Sequence, residues 1–246
     1  MREIEVLNIK VHPLSKSEFL SLIMSNLENG CQIVQNGVNS ASIKALVNNE
    51  ELRRAINNSD LINIDGMSVV WILRFLRYDV PERVACPDLA SDILAMAEKR
   101  KYSVFLFGAQ EASLLLCKKR LQDNYPKLKI AGYRNGYYQA EEELTIVDMI
   151  NSTNPDILFL GMPSPQKELF AEKYSHKLNA KYIFGVGGYF DILSGFTKRA
   201  PQWVQNIGME WCYRLVQEPR RMWRRYLIGN FRIIRLVLKE KKRRRK

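Results

Sequence analysis

Along the chain, short apolar runs alternate with stretches in which apolar residues recur every three or four positions. Residues 3–9 alternate apolar and polar, the period of a strand with one buried face. Ser15 then opens an amphipathic helix with Phe19, Leu20, Ile23, Met24 and Leu27 at helical spacing. Cys31 to Gln35 reads as a second strand closed by Asn36-Gly37, and Leu61 to Ile64 as a third that ends at Asp65-Gly66. Ser103 to Phe107 is a buried-type strand stopped by Gly108, with a helix from Glu111 after it. Asp156 to Leu160 repeats that arrangement up to Gly161-Met162-Pro163-Ser164-Pro165, and Tyr182 to Val186 repeats it up to Gly187-Gly188. Strands that alternate with helices predict an α/β fold, a mostly parallel sheet with helices on both faces.

In such sheets ligands bind in the crevice beyond the carboxyl ends of the strands. Asn39, Gly66, Gly108, Gln166, Gly187 and Gly188 stand at or just past those ends. Glycines there let a backbone approach a phosphate closely, so the pattern predicts a nucleotide or phosphosugar site. Asp65 has two readings, a reacting carboxylate at a strand end or a cap on the helix starting near Met67. Asp191 likewise either accepts hydrogen bonds from a ribose or base or caps its own helix. Arg83 and Asp88 flank Pro87 at a helix start, where an isolated arginine is either a ligand clamp or half of a surface ion pair.

Composition excludes several chemistries. His12 and His176 are the only histidines among 246 residues, which leaves little for histidine-assisted nucleophiles or multi-histidine metal sites. No Asp-x-Asp pair and no Walker pattern occur, so neither a carboxylate-held divalent metal nor an NTPase is expected. Gly185-x-Gly187 is followed at position 190 by Phe190, so a dinucleotide fingerprint is incomplete. Cys31, Cys86, Cys117 and Cys212 are scattered, which fits reduced thiols better than a disulfide framework. The N-terminus is charged and alternating, unlike a signal peptide, and no apolar run is long enough to span a bilayer.

Charge divides the chain. The net charge is +12, yet residues 1–197 hold 22 basic against 23 acidic groups. From Lys198 onward there are 16 Lys+Arg against Glu210, Glu218 and Glu240. On a helix, Arg221, Arg225, Arg232, Arg235 and Lys239 fall within about 40° of one line. Trp223, Tyr226, Leu227, Phe231, Ile234, Val237 and Leu238 cover the opposite side. This is the composition of an interfacial membrane helix, or of a helix packed on a core with a solvated basic face. Upstream, Trp203, Ile207, Trp211 and Leu215 form another apolar stripe. Such stripes predict membrane contact or a homo-oligomer. The expected division is residues 1–200 as a catalytic body and 201–246 as a basic helical appendage.

Taken in order, Asn63-Ile64-Asp65-Gly66, Phe107-Gly108-Ala109, Gly161-Met162-Pro163-Ser164-Pro165, Gly185-Val186-Gly187-Gly188-Tyr189-Phe190-Asp191, Lys198-Arg199-Ala200-Pro201 and Glu210-Trp211 resemble the WecG/TagA/CpsF glycosyltransferases over roughly residues 4–235. The resemblance implies a Rossmann-like fold and an inverting, metal-independent transfer without a cofactor. Its donor would be a UDP-sugar, often of the N-acetylmannosamine type. Its acceptor would be an undecaprenyl-diphosphate-linked sugar, in pathways such as teichoic acid or capsule. Asp65 matches the family's proposed catalytic base. Asn39, Gly66, Gly108, Tyr137, Gln166, Gly187, Gly188 and Asp191 become donor-binding candidates. Arg83, Asp88, Arg214, Arg221 and Arg224 become candidates for the acceptor and diphosphate. Trp223, Arg225, Leu227, Phe231, Arg232 and Arg235 become candidates for membrane contact, on the inner face of the plasma membrane.

Three departures stand out. The family's Thr-x-Asn reads Gly37-Val38-Asn39, its glycine after Arg-Val-x is Cys86, and its Gln-Glu pair reads Gln166-Lys167-Glu168. Two other function classes compete with the transferase. A nucleic-acid binder with a basic arm would ask little of the strand-end residues, and a nucleotide-sugar-modifying enzyme would want an intact cofactor fingerprint.

Overall fold

The computed structural model describes residues 2–217, 219 and 229–243. In chain order the elements are β1 (Ile4–Val6), β2 (Ile9–Val11), α1 (Lys16–Asn29), β3 (Ile33–Val38), α2 (Ser40–Asn48), α3 (Glu50–Asn57), β4 (Leu61–Ile64) and α4 (Met67–Phe75). There follow α5 (Cys86–Arg100), β5 (Ser103–Gly108), α6 (Glu111–Asn124), β6 (Lys129–Arg134), α7 (Glu143–Ser152), β7 (Ile157–Gly161), α8 (Gln166–Tyr174) and β8 (Tyr182–Gly185). The chain continues through α9 (Tyr189–Leu193), α10 (Gln202–Asn206), α11 (Glu210–Gln217) and α12 (Gly229–Arg243).

The main sheet has six strands in the order β4-β3-β8-β7-β5-β6, and every pairing in it is parallel. Its strands are covered on both faces. Val104, Leu106, Ile157, Phe159, Tyr182 and Phe184 turn toward α1, α5 and α6. Phe105, Phe107, Leu158, Leu160 and Ile183 turn toward α7 and α8. Each large apolar side chain so buried contributes roughly 1.5–3 kcal/mol. The α/β expectation holds, and local signals set its helix ends. Ser15 accepts from the Glu18 amide while Glu18 accepts from the Ser15 amide, a reciprocal cap on α1 that ends at a left-handed Gly30.

Two expected strands differ from what forms. Residues 3–9 are not one strand but part of the antiparallel hairpin β1-β2, in which Leu7 (φ 54°) and Asn8 (φ 61°) turn through left-handed conformations. Asn tolerates that region, whereas Leu carries no turn signal, so the alternation concealed the bend. The hairpin is tied to β4 by His12, whose buried Nδ1 accepts from the Ile62 amide at 2.9 Å. Burial lowers the His12 pKa, in keeping with a structural, neutral imidazole. The second expected strand does not stop at Asn36-Gly37 but runs to Val38, because β4 pairs alongside it up to Val38–Ile64.

The segment beyond Pro201 shares the core of the body. Ile233 and Val237 of α12 are 5 % exposed and join a cluster with Ile43, Leu46, Val70 and Leu73. Lys241 lies over the Phe75 ring at 3.4 Å from its centre. Among the described side chains of α12 the buried ones are Ile233, Val237 and Glu240, whereas Leu238, expected on the apolar side, is 48 % exposed. Helical angle alone divides the faces, but the neighbour α2 decides which is covered. Trp203 and Ile207 of the upstream stripe remain 67 % and 56 % exposed. Among the described residues no helix is long and apolar enough to cross a membrane.

Candidate active site

The carboxyl ends of β3, β4, β5, β7 and β8 open into one crevice of about 1260 Å³. Ordinary single-ligand pockets run to roughly 300–1,000 Å³, so this one has room for a nucleotide-sugar beside part of a second substrate. Asn39, Asp65, Tyr137, Gln166, Gly187, Gly188 and Asp191 all line it.

Asp65 stands just past the end of β4, half-buried. Its Oδ1 accepts from the Cys86 amide at 2.8 Å, and its Oδ2 accepts from Asn39 Nδ2 at 3.1 Å. Asn39 is itself locked, because its Oδ1 accepts from the Ser42 amide at 3.2 Å and its own amide donates to Ser42 Oγ at 2.7 Å. That fixes which end of the side chain points at Asp65. The α4 N-terminus begins at Gly66 with no side-chain cap, so Asp65 is not the cap of its own following helix. It instead receives the first amide of α5, some twenty residues downstream. Both partners are neutral donors, which orient the carboxylate.

Two of the sequence departures meet here. A Cβ built on Gly37 would lie 2.3 Å from Cys86 Sγ and 3.3 Å from Asp65 Cβ. The bulk missing at position 37 is thus supplied by the Cys86 side chain at the start of α5. Burial and the nearby Asp65 push the Cys86 thiol well above its usual range, and its sulfur accepts from Asn63 Nδ2 at 3.4 Å.

Asp191, in α9, accepts from Ser113 Oγ at 2.7 Å, and Ser113 and Ser194 hydroxyls lie 3.0 Å apart. Asp191 therefore ties α9 to α6 while facing the crevice, and does not cap its own helix, which begins at Gly188 without a side-chain bond. Gln166, the first residue of α8, donates to the Gly136 carbonyl at 3.3 Å. Gly66 and Gly108 do not line the crevice. At Gly108 (φ 147°) a Cβ would lie 2.3 Å from the Gly161 backbone, so this glycine serves strand packing. At Gly161 a Cβ would lie 2.3 Å from the Phe190 ring, so this glycine makes room for that ring.

Arg83 and Asp88 do not line the crevice; they enter a chain of charges at its edge. Arg83 Nη1 donates to Glu210 Oε2 at 3.1 Å, and Arg199 Nε lies 3.6 Å from Glu210 Oε1. Arg199 also grips Asp88 with both terminal nitrogens, one bond measuring 2.9 Å. Burial pushes the Asp88 carboxyl up, but the Arg199 bonds outweigh it and hold the carboxyl below its usual range. The same pairing raises Arg199 against the opposing effect of its burial. This chain ties the start of α11 to the start of α5.

Arg221, Trp223, Arg224, Arg225 and Leu227 lie outside the described residues. Arg214 falls in α11 and Phe231 and Arg232 in α12, but their side chains lie outside what is described. Arg235 is exposed. Sequence reading missed the pair Lys167–Glu168, which lines the crevice floor and is 7 % and 2 % exposed. The sequence marked them only as a departure from the family's Gln-Glu pair, and because neighbours in a helix do not normally face one another, spacing gave no sign that they pair.

Comparison with known proteins agrees with this geometry. Residues 4–246 match the model of the glycosyl transferase WecG/TagA/CpsF family. The N-acetylglucosaminyldiphosphoundecaprenol N-acetyl-beta-D-mannosaminyltransferase of Bacillus subtilis (strain 168) is 34% identical over 206 residues, 83% of this chain and 78% of that protein. The protein of the same description from Bacillus spizizenii (strain ATCC 23059 / NRRL B-14472 / W23) is 34% identical over 179 residues, 73% of this chain and 68% of the relative. With nearly its whole length matched and a crevice at its strand ends, this chain belongs to the WecG/TagA/CpsF family and is a glycosyltransferase.

Proposed function

We propose that the chain moves an N-acetylmannosamine-type or related hexose from a UDP-sugar onto an undecaprenyl-diphosphate-linked sugar at the cytoplasmic face of the membrane. The relatives' acceptor and transferred sugar, as their descriptions give them, support the substrate classes. The observation that carries the mechanism is Asp65, held in the crevice by two neutral donors.

In the proposed step the acceptor hydroxyl oxygen attacks the anomeric carbon from the side opposite UDP. The new C–O bond forms as the bond to the diphosphate oxygen breaks, so the configuration inverts. Asp65 takes the hydroxyl proton, help of a kind typically worth about 10² to 10⁴ in rate. The departing UDP gains negative charge. The backbone amides about Gly187 and Gly188, with Arg214, Arg221 and Arg224, carry that charge in this reading, with no metal or cofactor.

Membrane docking extends the reading. Trp203, Val216 and Ile207 are 67 %, 76 % and 56 % exposed, and the segment holding them is the basic one. An anionic leaflet attracts each nearby cation by about 1 kcal/mol. Self-association of the same apolar surface belongs to this proposal and is read by sedimentation across concentrations. The decisive experiment is Asp65→Asn, assayed for transfer and for UDP binding by calorimetry. Transfer falls at least about 100-fold with UDP affinity kept. Unchanged turnover removes Asp65 as the base.

A further inference from the structure

On the crevice floor, Lys167 runs beneath the loop that follows β8. A Cβ on Gly185 would lie 2.3 Å from Asn36 Oδ1 and 3.1 Å from Lys167 Nζ, so the glycine makes way for this contact. Lys167 Nζ donates to Asn36 Oδ1 at 3.2 Å and to Glu168 Oε1. Asn36 is anchored in turn, donating to Ser59 Oγ at 3.0 Å. One oxygen of Glu168 is thereby satisfied. The other, Oε2, is buried and has no hydrogen-bond partner among the described residues, although Glu168 is only 2 % exposed and lines the crevice.

A buried acceptor without a donor costs free energy, and native folds rarely tolerate one without a use. A buried ion pair is also a poor means of gaining stability, since apolar residues of the same shape usually do as well. The pair is neutral as a unit and its free atom is an acceptor. It therefore suits an O–H or amide N–H and repels a phosphate. Its location narrows the choice. Asn36, which holds Lys167, precedes Gly37, and a Cβ on Gly37 would touch Asp65. The pair thus sits under β3 and β8, and β3 adjoins the strand that carries Asp65, with neighbouring strands spaced about 4.8 Å apart.

We propose that Glu168, oriented by Lys167, accepts a hydrogen bond from a hydroxyl or amide N–H of the transferred sugar and so determines which sugar is used. This rests on the UDP-sugar reading above.

The test uses the double variant Lys167→Met/Glu168→Leu, which keeps the side-chain volumes and leaves no lone charge, together with Glu168→Gln. In Glu168→Gln, either amide orientation turns an NH₂ toward a donor. Calorimetry measures UDP alone and a panel of UDP-N-acetylhexosamines differing at one ring position, with thermal melting as the check on folding. The expected result is a melt close to the parent for the double variant and unchanged UDP affinity. Both variants lose about 10- to 100-fold of the affinity that the preferred sugar adds over UDP, and with it the discrimination among sugars. If a folded double variant keeps that added affinity and discrimination, the pair is structural and the proposal fails. Equal loss of UDP and UDP-sugar affinity assigns Glu168 to the nucleotide and also overturns it. A parent protein that binds no UDP at all would instead sink the donor reading on which this rests.

Discussion

Two carboxylates near the crevice are held in opposite ways. Asp65 accepts from a side-chain amide and a backbone amide, both neutral. Asp88, at the crevice edge, is gripped by the Arg199 guanidinium, which leads on through Glu210 to Arg83. Neutral donors fix orientation while adding no full positive charge. A guanidinium stabilises the ionised form directly, and Asp88 is pulled below its usual range despite its burial. The proposed reaction uses the first region, whereas the second ties the start of α11 to the start of α5. The difference lies in the partner, since both side chains sit at the ends of local elements.

The largest expected effect is at Asp65. Asp65→Asn reduces transfer at least about 100-fold, whereas Asp88→Asn acts less on the maximal rate than on acceptor KM. Equal losses in maximal rate would erase the distinction between the regions. Next comes the packing beneath Asp65. Gly37→Thr alone forces a side chain onto the Cys86 sulfur and destabilises by about 1–3 kcal/mol. Adding Cys86→Gly to it recovers much of the loss in urea unfolding and restores transfer. Additive losses would show that the two departures are unrelated.

In the holding region, Arg199→Met leaves Asp88 and Glu210 short of a partner. It costs about 1–2 kcal/mol and speeds limited proteolysis after Pro201, with UDP affinity intact. Cleavage at the parent rate would mean that the charge chain does not hold the segment. The smallest effect is on pH dependence. The folded pKa of Asp88 is depressed, so its contribution is complete above its ordinary value of 3.8 and is lost as pH falls through the lower folded value. Arg199→Met therefore flattens stability against pH below about 4, and an unchanged acid limb would contradict the pairing.

Substitutions serve better than truncation in the C-terminal segment. Ile233 and Val237 complete the apolar cluster around α2 and α4, so removing residues 201–246 would strip a face of the body as well as its basic charge. The helical spacing of that segment was legible, yet nothing local told which face the body would cover.

The sequence by itself determined the parts whose cause is local. Strand and helix periods, Ser15 with Glu18, and glycines at strand ends all act within a few residues, so α/β architecture and a crevice beyond the strands followed from them. Asn39, Asp65, Gln166, Gly187, Gly188 and Asp191 were legible because strand ends converge in any sheet of this class. Tertiary structure alone decided what each of them touches. The strand order β4-β3-β8-β7-β5-β6 does not follow chain order, and it brings Asn36 to Lys167 and Tyr182 to Gln35 across more than a hundred residues. Arg83 meets Glu210 in the same way, and Gly37 meets Cys86, because register and crossover place them together. Those contacts depend on positions in space that no local period encodes, and the burial of the Lys167–Glu168 pair is among them.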